Sequence, residues 1–441
     1  MASTYLQRTI SSSGNQKKST ISAWFKRANN NTDGGLFSFT EDGNNYFRIK
    51  FKGDILEIDN YYGGSQTMDL KTNRLYRDCS AWYHIVFAYD SAQGTAADRA
   101  KLYINGVQET SFSTASYPSQ NGNIRLGNSG SNIELGRSQG PQYFDGIISH
   151  VHYCDGYAYA ASDFGETDST TGEWKIKISP SVSYGSNGFF WLKDSIATTD
   201  HSPNSNTFTV GGGTLSKTED CPDNVFCCLN PLEKQGTTLS NGNNTSAYGS
   251  GSWRSVACTL GMQTGKFYYE AKLVSGNSGQ LGIIRADNFP SNIGASAGLE
   301  TNALGNITGA LSINFGDGSV QAAGGTGGTT QGFSFSAGDI AGCAVDATNN
   351  KIYWSKNGVW GNSSNPVDGT NATTIASNLT DYKPFLPAIS VNNSTISTNF
   401  GNGYFETTAV SSAGSNASGI GIFEYDVPTG FTALSTKGLN L

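Results

Sequence analysis

The stretch DRAKLYINGVQ, Asp98 to Gln108, decides the fold, and it returns as NNKIYWSKNGVW, Asn349 to Trp360. In each copy an apolar-rich strand runs into Asn-Gly. That dipeptide accepts positive φ at both central turn positions and is the strongest short-range hairpin signal. Each copy also follows a longer apolar strand: Trp82 to Asp90 (WYHIVFAYD) in the first, Asp339 to Asp346 (DIAGCAVD) in the second. Both halves therefore read strand, polar link, strand, tight turn, strand. The expectation is an all-β protein of two antiparallel β-sandwiches in tandem.

Working outward, a length of 441 residues suits two large sandwiches. Charged residues make up 14% of the chain, against roughly 25% in an average soluble domain. With 55 glycines and 12% aromatics, this is a turn-rich β composition with a neutral surface. A net charge of −7 and no Lys/Arg block argue against a nucleic-acid partner. The first twenty residues carry no apolar core of a signal peptide. No run approaches the roughly 18 apolar residues of a membrane span, so no membrane insertion is expected. The seven cysteines are scattered, without CxxC or zinc spacing. They read as free thiols made in a reducing cytoplasm. A bridge from Cys221 to Cys227 or Cys228 is the alternative.

Strands are expected at residues 3–10, Ser19 to Arg27, Gly35 to Thr40, Tyr46 to Lys52, Ile55 to Asp59 and Tyr143 to Tyr153. Turn signals between them, at spacings of about 8–12 residues, suit a sandwich. The organisation expected is a first sandwich over 1–200, an irregular connector over 201–249 and a second sandwich over 250–441.

Four pieces of the first half stand in a telling order: SAWYHIVFAYD (Ser80 to Asp90), KLYING (Lys101 to Gly106), IELG (Ile133 to Gly136) and YFDGIIS (Tyr143 to Ser149). In that order they resemble the laminin-G/concanavalin-A-like jelly roll. GKFYYE (Gly265 to Glu270), AGDIAGCAVD (Ala337 to Asp346), NGVW (Asn357 to Trp360) and PFLPAIS (Pro384 to Ser390) resemble the SPRY (B30.2) family. The pair of domains, ending in PTGFTALSTKGLNL from Pro428, resembles virion structural proteins of tailed bacteriophages, aquatic ones especially. That resemblance implies a virion protein made in the host cytoplasm and released by lysis.

Little in the sequence speaks for catalysis. Retaining glycanases of the concanavalin-like fold carry Glu-x-Asp followed by a further Glu on one strand. Strand alternation puts those residues on one face, where they meet one sugar. Glu57 and Asp59 begin that pattern, but Tyr61 and Tyr62 follow where the acid is needed. The two carboxylates therefore read as a solvated strand face. His150 and His152 share a face, yet no third metal ligand is near, and His84 sits in an apolar strand. Hydrogen-bonded structural histidines are expected. The run Gly324 to Thr330 lacks the Lys and helix of a phosphate loop and reads as a flexible loop. No cofactor is expected. Calcium is the one metal to consider, with Asp33, Asp42 and Asp145 as loop candidates.

Most aromatics fall on strands and read as core. Those expected in loops are Tyr61, Tyr62, Tyr117, Trp253 and Trp360. Such residues stack on sugar rings or anchor a partner. The function expected is a non-enzymatic virion surface protein, a tail fibre or receptor-binding protein. Its partners would be other virion proteins and a host cell-surface glycan or protein. Many copies would add avidity, and a homo-oligomer, as a trimer, fits virion symmetry. The alternative is a decoration protein of capsid or tail.

Overall fold

A computed structural model describes residues 3–193, 198–234, 236–287, 302–322, 329–381 and 383–441. Residues 324–328 of the glycine-rich run lie outside them. The chain forms two compact units, Met1–Lys217 and Thr218–Leu441, and both are all-β, as the hairpin pattern predicts.

Unit 1 is a sandwich of two antiparallel sheets. Its strands are β1 (Tyr5–Thr9), β2 (Lys18–Arg27), β3 (Gly34–Asp42), β4 (Asn45–Lys52), β5 (Ile55–Tyr62), β6 (Ser65–Thr72), β7 (Tyr83–Asp90), β8 (Ala100–Ile104), β9 (Val107–Glu109), β10 (Phe112–Ser116), β11 (Asn132–Leu135), β12 (Gly146–Asp155), β13 (Phe189–Trp191) and β14 (Thr209–Gly212). The larger sheet runs β10-β6-β5-β4-β3-β11-β1-β14, and the smaller runs β13-β12-β2-β7-β8-β9. Alternate residues of each strand point inward. Thus β4 buries Phe47, Ile49 and Phe51, β5 buries Leu56 and Ile58, and β2 buries Ile21, Ala23 and Phe25 in one core. Strand β6 has no counterpart in the sequence reading. Its eight residues bury only Met68 and Leu70 as apolar side chains, too few to show a period.

The smaller sheet is also covered on its outer face. Ala161, Phe164 and Tyr184, with Trp174 alongside, pack on Val86, Cys154 and Phe190. This cover buries the histidines. Trp174 Nε1–H donates to His84 Nδ1 at 3.0 Å. That fixes the proton on Nε2, which lies 2.8 Å from Ser22 Oγ. Burial pushes His84 down to about 3. His152 meets the Tyr184 hydroxyl at 2.9 Å and is held, again by burial, well below its usual value. His150 and His152 both lie against the Phe190 ring. Each of the three rings has a hydroxyl partner, Ser149 serving His150.

The stretch expected as an irregular connector contains four short strands. Val210 pairs with Leu6 of β1, and Phe208 enters the unit 1 core. Leu229–Lys234, Thr238–Ser240 and Thr245–Tyr248 join the sheets of unit 2. These strands are short and mixed in polarity, and the first and last are held by partners far along the chain, Leu6 for Val210 and Ser397 for Thr245; local pattern does not carry that information. Among the described residues no cysteine is in a disulfide. Cys221 bridges by backbone to Asn224, while Cys227 hydrogen-bonds Cys258 instead.

In unit 2 a six-stranded sheet is built around Phe385–Val391 and Gly279–Arg285. A nine-stranded sheet is built around Lys266–Ser275 and Ile340–Asp346. One core lies between them. The C-terminal segment forms a strap on the nine-stranded sheet, where Phe423, Val427 and Phe431 pack against Tyr268 and Tyr353. Thr432–Ala433 adds a short parallel strand beside Phe267–Tyr268. Glu270, with 0% of its surface exposed, ties the strap down. One carboxylate oxygen accepts from Tyr268 OH and Tyr425 N–H, at 3.0 and 2.9 Å. The other accepts from Asn399 Nδ2 and Glu424 N–H, at 3.2 and 2.9 Å. Burial pushes this acid up to about 7, outweighing those donors.

The two Asn-Gly turns form as read. Asn105 and Gly106 have φ of 47° and 80°, and Asn357 and Gly358 have 48° and 81°. Each glycine also leaves room for an aromatic ring. A Cβ on Gly106 would lie 2.4 Å from Trp174, and one on Gly358 would lie 2.7 Å from Tyr425. Gly106→Ala and Gly358→Ala should each cost about 1–3 kcal/mol through positive φ and this contact. Hydrogen exchange should then rise first around residues 165–184 and 423–433 respectively.

The units should also answer acid with opposite sign. His84 and His152 bind protons less readily folded than unfolded, so their contribution to unit 1 fades as pH falls below the ordinary 6.5. Glu270 binds its proton more readily folded, so its contribution to unit 2 is full below 4.5 and is lost as pH rises to about 7. Exchange protection at about pH 5 and about pH 8, read separately for each unit, should move in opposite directions. Glu270→Gln should remove the unit 2 part.

Candidate binding face of the first unit

Three of the four outer sheet faces carry an apolar cover: the smaller sheet of unit 1 and both sheets of unit 2. The fourth, on the larger sheet of unit 1, is polar. Strand register lines up its side chains in rows across the sheet. Gln7, Glu134, Ser38, Arg48, Asp59 and Asp69 stand side by side across β1, β11, β3, β4, β5 and β6. Lys50, Glu57 and Lys71 form the next row, and Thr40, Tyr46 and Tyr61 a third.

Opposite charges meet along these rows. Arg48 Nε lies 3.0 Å from Asp59 Oδ1, and Arg48 Nη2 contacts the other oxygen. Lys50 and Lys71 flank Glu57, both at 3.5 Å, and Lys71 reaches Asp69 at 2.7 Å. Arg137 lies 3.6 Å from Glu134. Burial opposes the charge on Arg48, but the hydrogen bonds and charge of Asp59 outweigh it and hold the guanidinium above its usual value. The solvated face expected for Glu57 and Asp59 is therefore corrected. Their exposures are 5% and 1%, because neighbouring cations lie beside them and shield them from water.

The expected loop aromatics do not form one site. Tyr61 and Tyr62 end strand β5, and consecutive strand residues point to opposite faces. Tyr61 lies on the polar face, stacked on Tyr46 at 4.7 Å and 25°. Arg48 covers the Tyr46 ring at 4.2 Å. Burial pushes the Tyr46 hydroxyl up to about 12. Tyr62, 44% exposed, sits at the rim with Arg125 4.1 Å above its ring. Arg125 is held there by Glu41 at 3.3 Å and Asn45 at 2.5 Å. Tyr117 packs partly on the unit 1 core. Trp360 is on a short strand of unit 2 and packs beside Tyr268 and Tyr353 at 6.4 and 6.5 Å. Trp253, half-buried, directly precedes the strand Arg254–Cys258 of unit 2.

Tyr46, Arg48 and Arg125 were not among the expected site residues, although Tyr46 and Arg48 alternate along a strand that was. The calcium candidates scatter. Asp42 closes an Asx turn onto Asn44 N–H at 2.7 Å, Asp33 accepts from Gly53 N–H at 2.8 Å, and Asp145 accepts from Asn29. Among the described residues no three His, Cys, Asp or Glu side chains are grouped to hold a metal.

The Arg48–Asp59 pair sets the shape of this face. Arg48→Met should cost about 3–5 kcal/mol in unit 1, because it leaves a buried carboxylate without its cation. Combining it with Asp59→Leu should recover most of that loss, as read by denaturant midpoints.

With this geometry in view, similarity to known proteins is limited to parts of the chain. The family profile of the concanavalin A-like lectin/glucanases superfamily, laminin G type, matches residues 2–163. No curated protein matches the sequence. A human SPRY domain is similar at 14% identity and a TM-score of 0.28, covering 37% of this chain and 95% of that one. A native heptameric SAP-like pentraxin from Limulus polyphemus is similar at 17% identity and a TM-score of 0.27, covering 36% of this chain and 71% of that one. Residues 2–163 are thus similar to the lectin/glucanase type of sandwich.

Proposed function

We propose that this chain is a non-enzymatic virion surface protein of a tailed bacteriophage that binds a host-surface receptor through the polar face of unit 1. The observation that carries the reading is that face: rows of paired charges with an Arg48–Tyr46–Tyr61 stack, on the one outer sheet face without an apolar cover among the described residues. The lectin-type profile over residues 2–163 supports it. Glu57 and Asp59 support a binding role as well. Each is already paired with cations, which suits the floor of a recognition surface and leaves the acid–nucleophile pair of a glycanase incomplete. The virion setting rests on the order of the two domains and the closing PTGFTALSTKGLNL. Copies of the chain, as a homo-oligomer or arrayed with other virion proteins, would multiply a weak contact into firm attachment.

Quantitative mass spectrometry of purified particles tests the setting. A few to a few tens of copies per virion is the expected result. Hundreds would favour decoration of the capsid, and none would overturn the virion reading. Purified chain should also slow adsorption of the phage to its host, and Tyr61→Ala should remove that competition by about tenfold, the scale of one lost aromatic contact.

A further inference from the structure

We infer that the ligand of this face is an uncharged, hydroxyl-rich saccharide, seated on the Tyr46–Tyr61 stack and the charge pairs beside it. The inference rests on the receptor-binding reading above and names the ligand class. The cations set in the rows are Arg48, Lys50, Lys71 and Arg137, and each has a carboxylate on the same face within 3.6 Å; Lys52, the exposed last residue of β4, adds a cation at the strand end, opposite Ile55. The acids are Asp59, Glu57, Asp69 and Glu134, so the charges within the rows balance four to four. An acidic sugar would have to displace one of these carboxylates, all no more than 7% exposed. The displaced carboxylate would be left without its cation, which opposes binding. A cationic ligand meets the converse obstacle.

A sugar hydroxyl faces no such obstacle. Being uncharged, it accepts from a guanidinium or ammonium N–H at the outer edge of a pair and leaves the ion pair in place. The aromatic rings supply the apolar part of the contact. Tyr61 is the accessible end of its stack, and Tyr46 beneath it is 7% exposed. A second aromatic place lies along the same sheet, where the Arg137 guanidinium sits 4.6 Å from the Tyr5 ring and 5.7 Å from the Tyr143 ring. Tyr5 belongs to β1 and Tyr61 to β5, with β4, β3 and β11 between them. Four strand spacings of about 4.8 Å separate the two places, so a chain of several sugars would meet an aromatic near each end. Because no charge is neutralised on binding, salt should matter little.

The test uses the full chain against two immobilised sets: neutral polysaccharides (glucans, galactans, mannans) and acidic ones (uronate-bearing, sialylated, sulfated). The expected result is binding in the neutral set that changes less than about twofold between about 50 and about 500 mM salt. Tyr61→Ala should weaken it at least about tenfold with an unchanged melting temperature. Binding confined to the acidic set, with steep loss in salt, would overturn the inference and leave the receptor-binding reading standing. Neutral binding untouched by Tyr61→Ala would overturn the placement. If the chain binds host cells but neither set, the receptor is a protein and the inference fails. If it binds neither cells nor saccharides, the receptor-binding reading itself fails.

Discussion

In both units one asparagine stands where a hairpin ends and holds the neighbouring strand. Asn105 donates its N–H to His84 O at 2.9 Å and accepts His84 N–H on its side chain at 2.7 Å. Asn357 does the same with Ile340, both at 2.8 Å. The side chain acts as one more rung of the ladder after the backbone has turned away. The following glycine, free of a Cβ, receives an aromatic from the segment that covers the sheet: Trp174 in unit 1, Tyr425 in unit 2. Trp174 then donates to His84 and Tyr425 N–H donates to Glu270. Turn, cover and buried titratable group are thus linked in the same way twice, in units whose remaining sequence differs.

The consequence is a division of labour among sheet faces. A sheet face must be covered by apolar packing or made compatible with water. Covers formed by residues 161–184, by the C-terminal strap and by Leu304 and Ile307 close three faces. The larger sheet of unit 1 uses charge. The pairs Arg48–Asp59, Lys50–Glu57 and Lys71–Glu57 cross from strand to strand, so they reinforce register, since a slip of one residue would set their charges on the core side. Rows satisfied by their own pairs are polar without carrying a net charge.

How much of this was legible can be read from particular residues. The Asn-Gly turns and the strands before them formed as the pattern required, because turn chemistry and alternation are local. The strand Ser65–Thr72 was hidden because it buries only two apolar side chains, although it pairs directly with β5 across Gly63-Gly64, and the pairing of Val210 with Leu6 was hidden because the partners lie far apart along the chain. Of the five expected site aromatics, Tyr61 lies on the polar face and Tyr62 at its rim. The others serve the unit 1 core margin, the strap or the start of a unit 2 strand. The burial of Glu57 and Asp59 was missed because a strand read alone shows its own alternation and nothing of its neighbour's.

Yet that neighbour was within reach. Strands β4 and β5 are joined by Gly53-Asp54, with Gly53 at φ of 58°. A two-residue turn fixes the register at Lys52 opposite Ile55. Counting back from it sets Lys50 opposite Glu57, Arg48 opposite Asp59 and Tyr46 opposite Tyr61. Two opposite-charge pairs and one aromatic pair in consecutive same-face positions are improbable as a solvated surface, where pairing has little value. They make sense where the face is shielded and its geometry is used. The turn length therefore holds the information that alternation alone lacks: it decides which side chains meet, and here it brings the charges and rings of the face together.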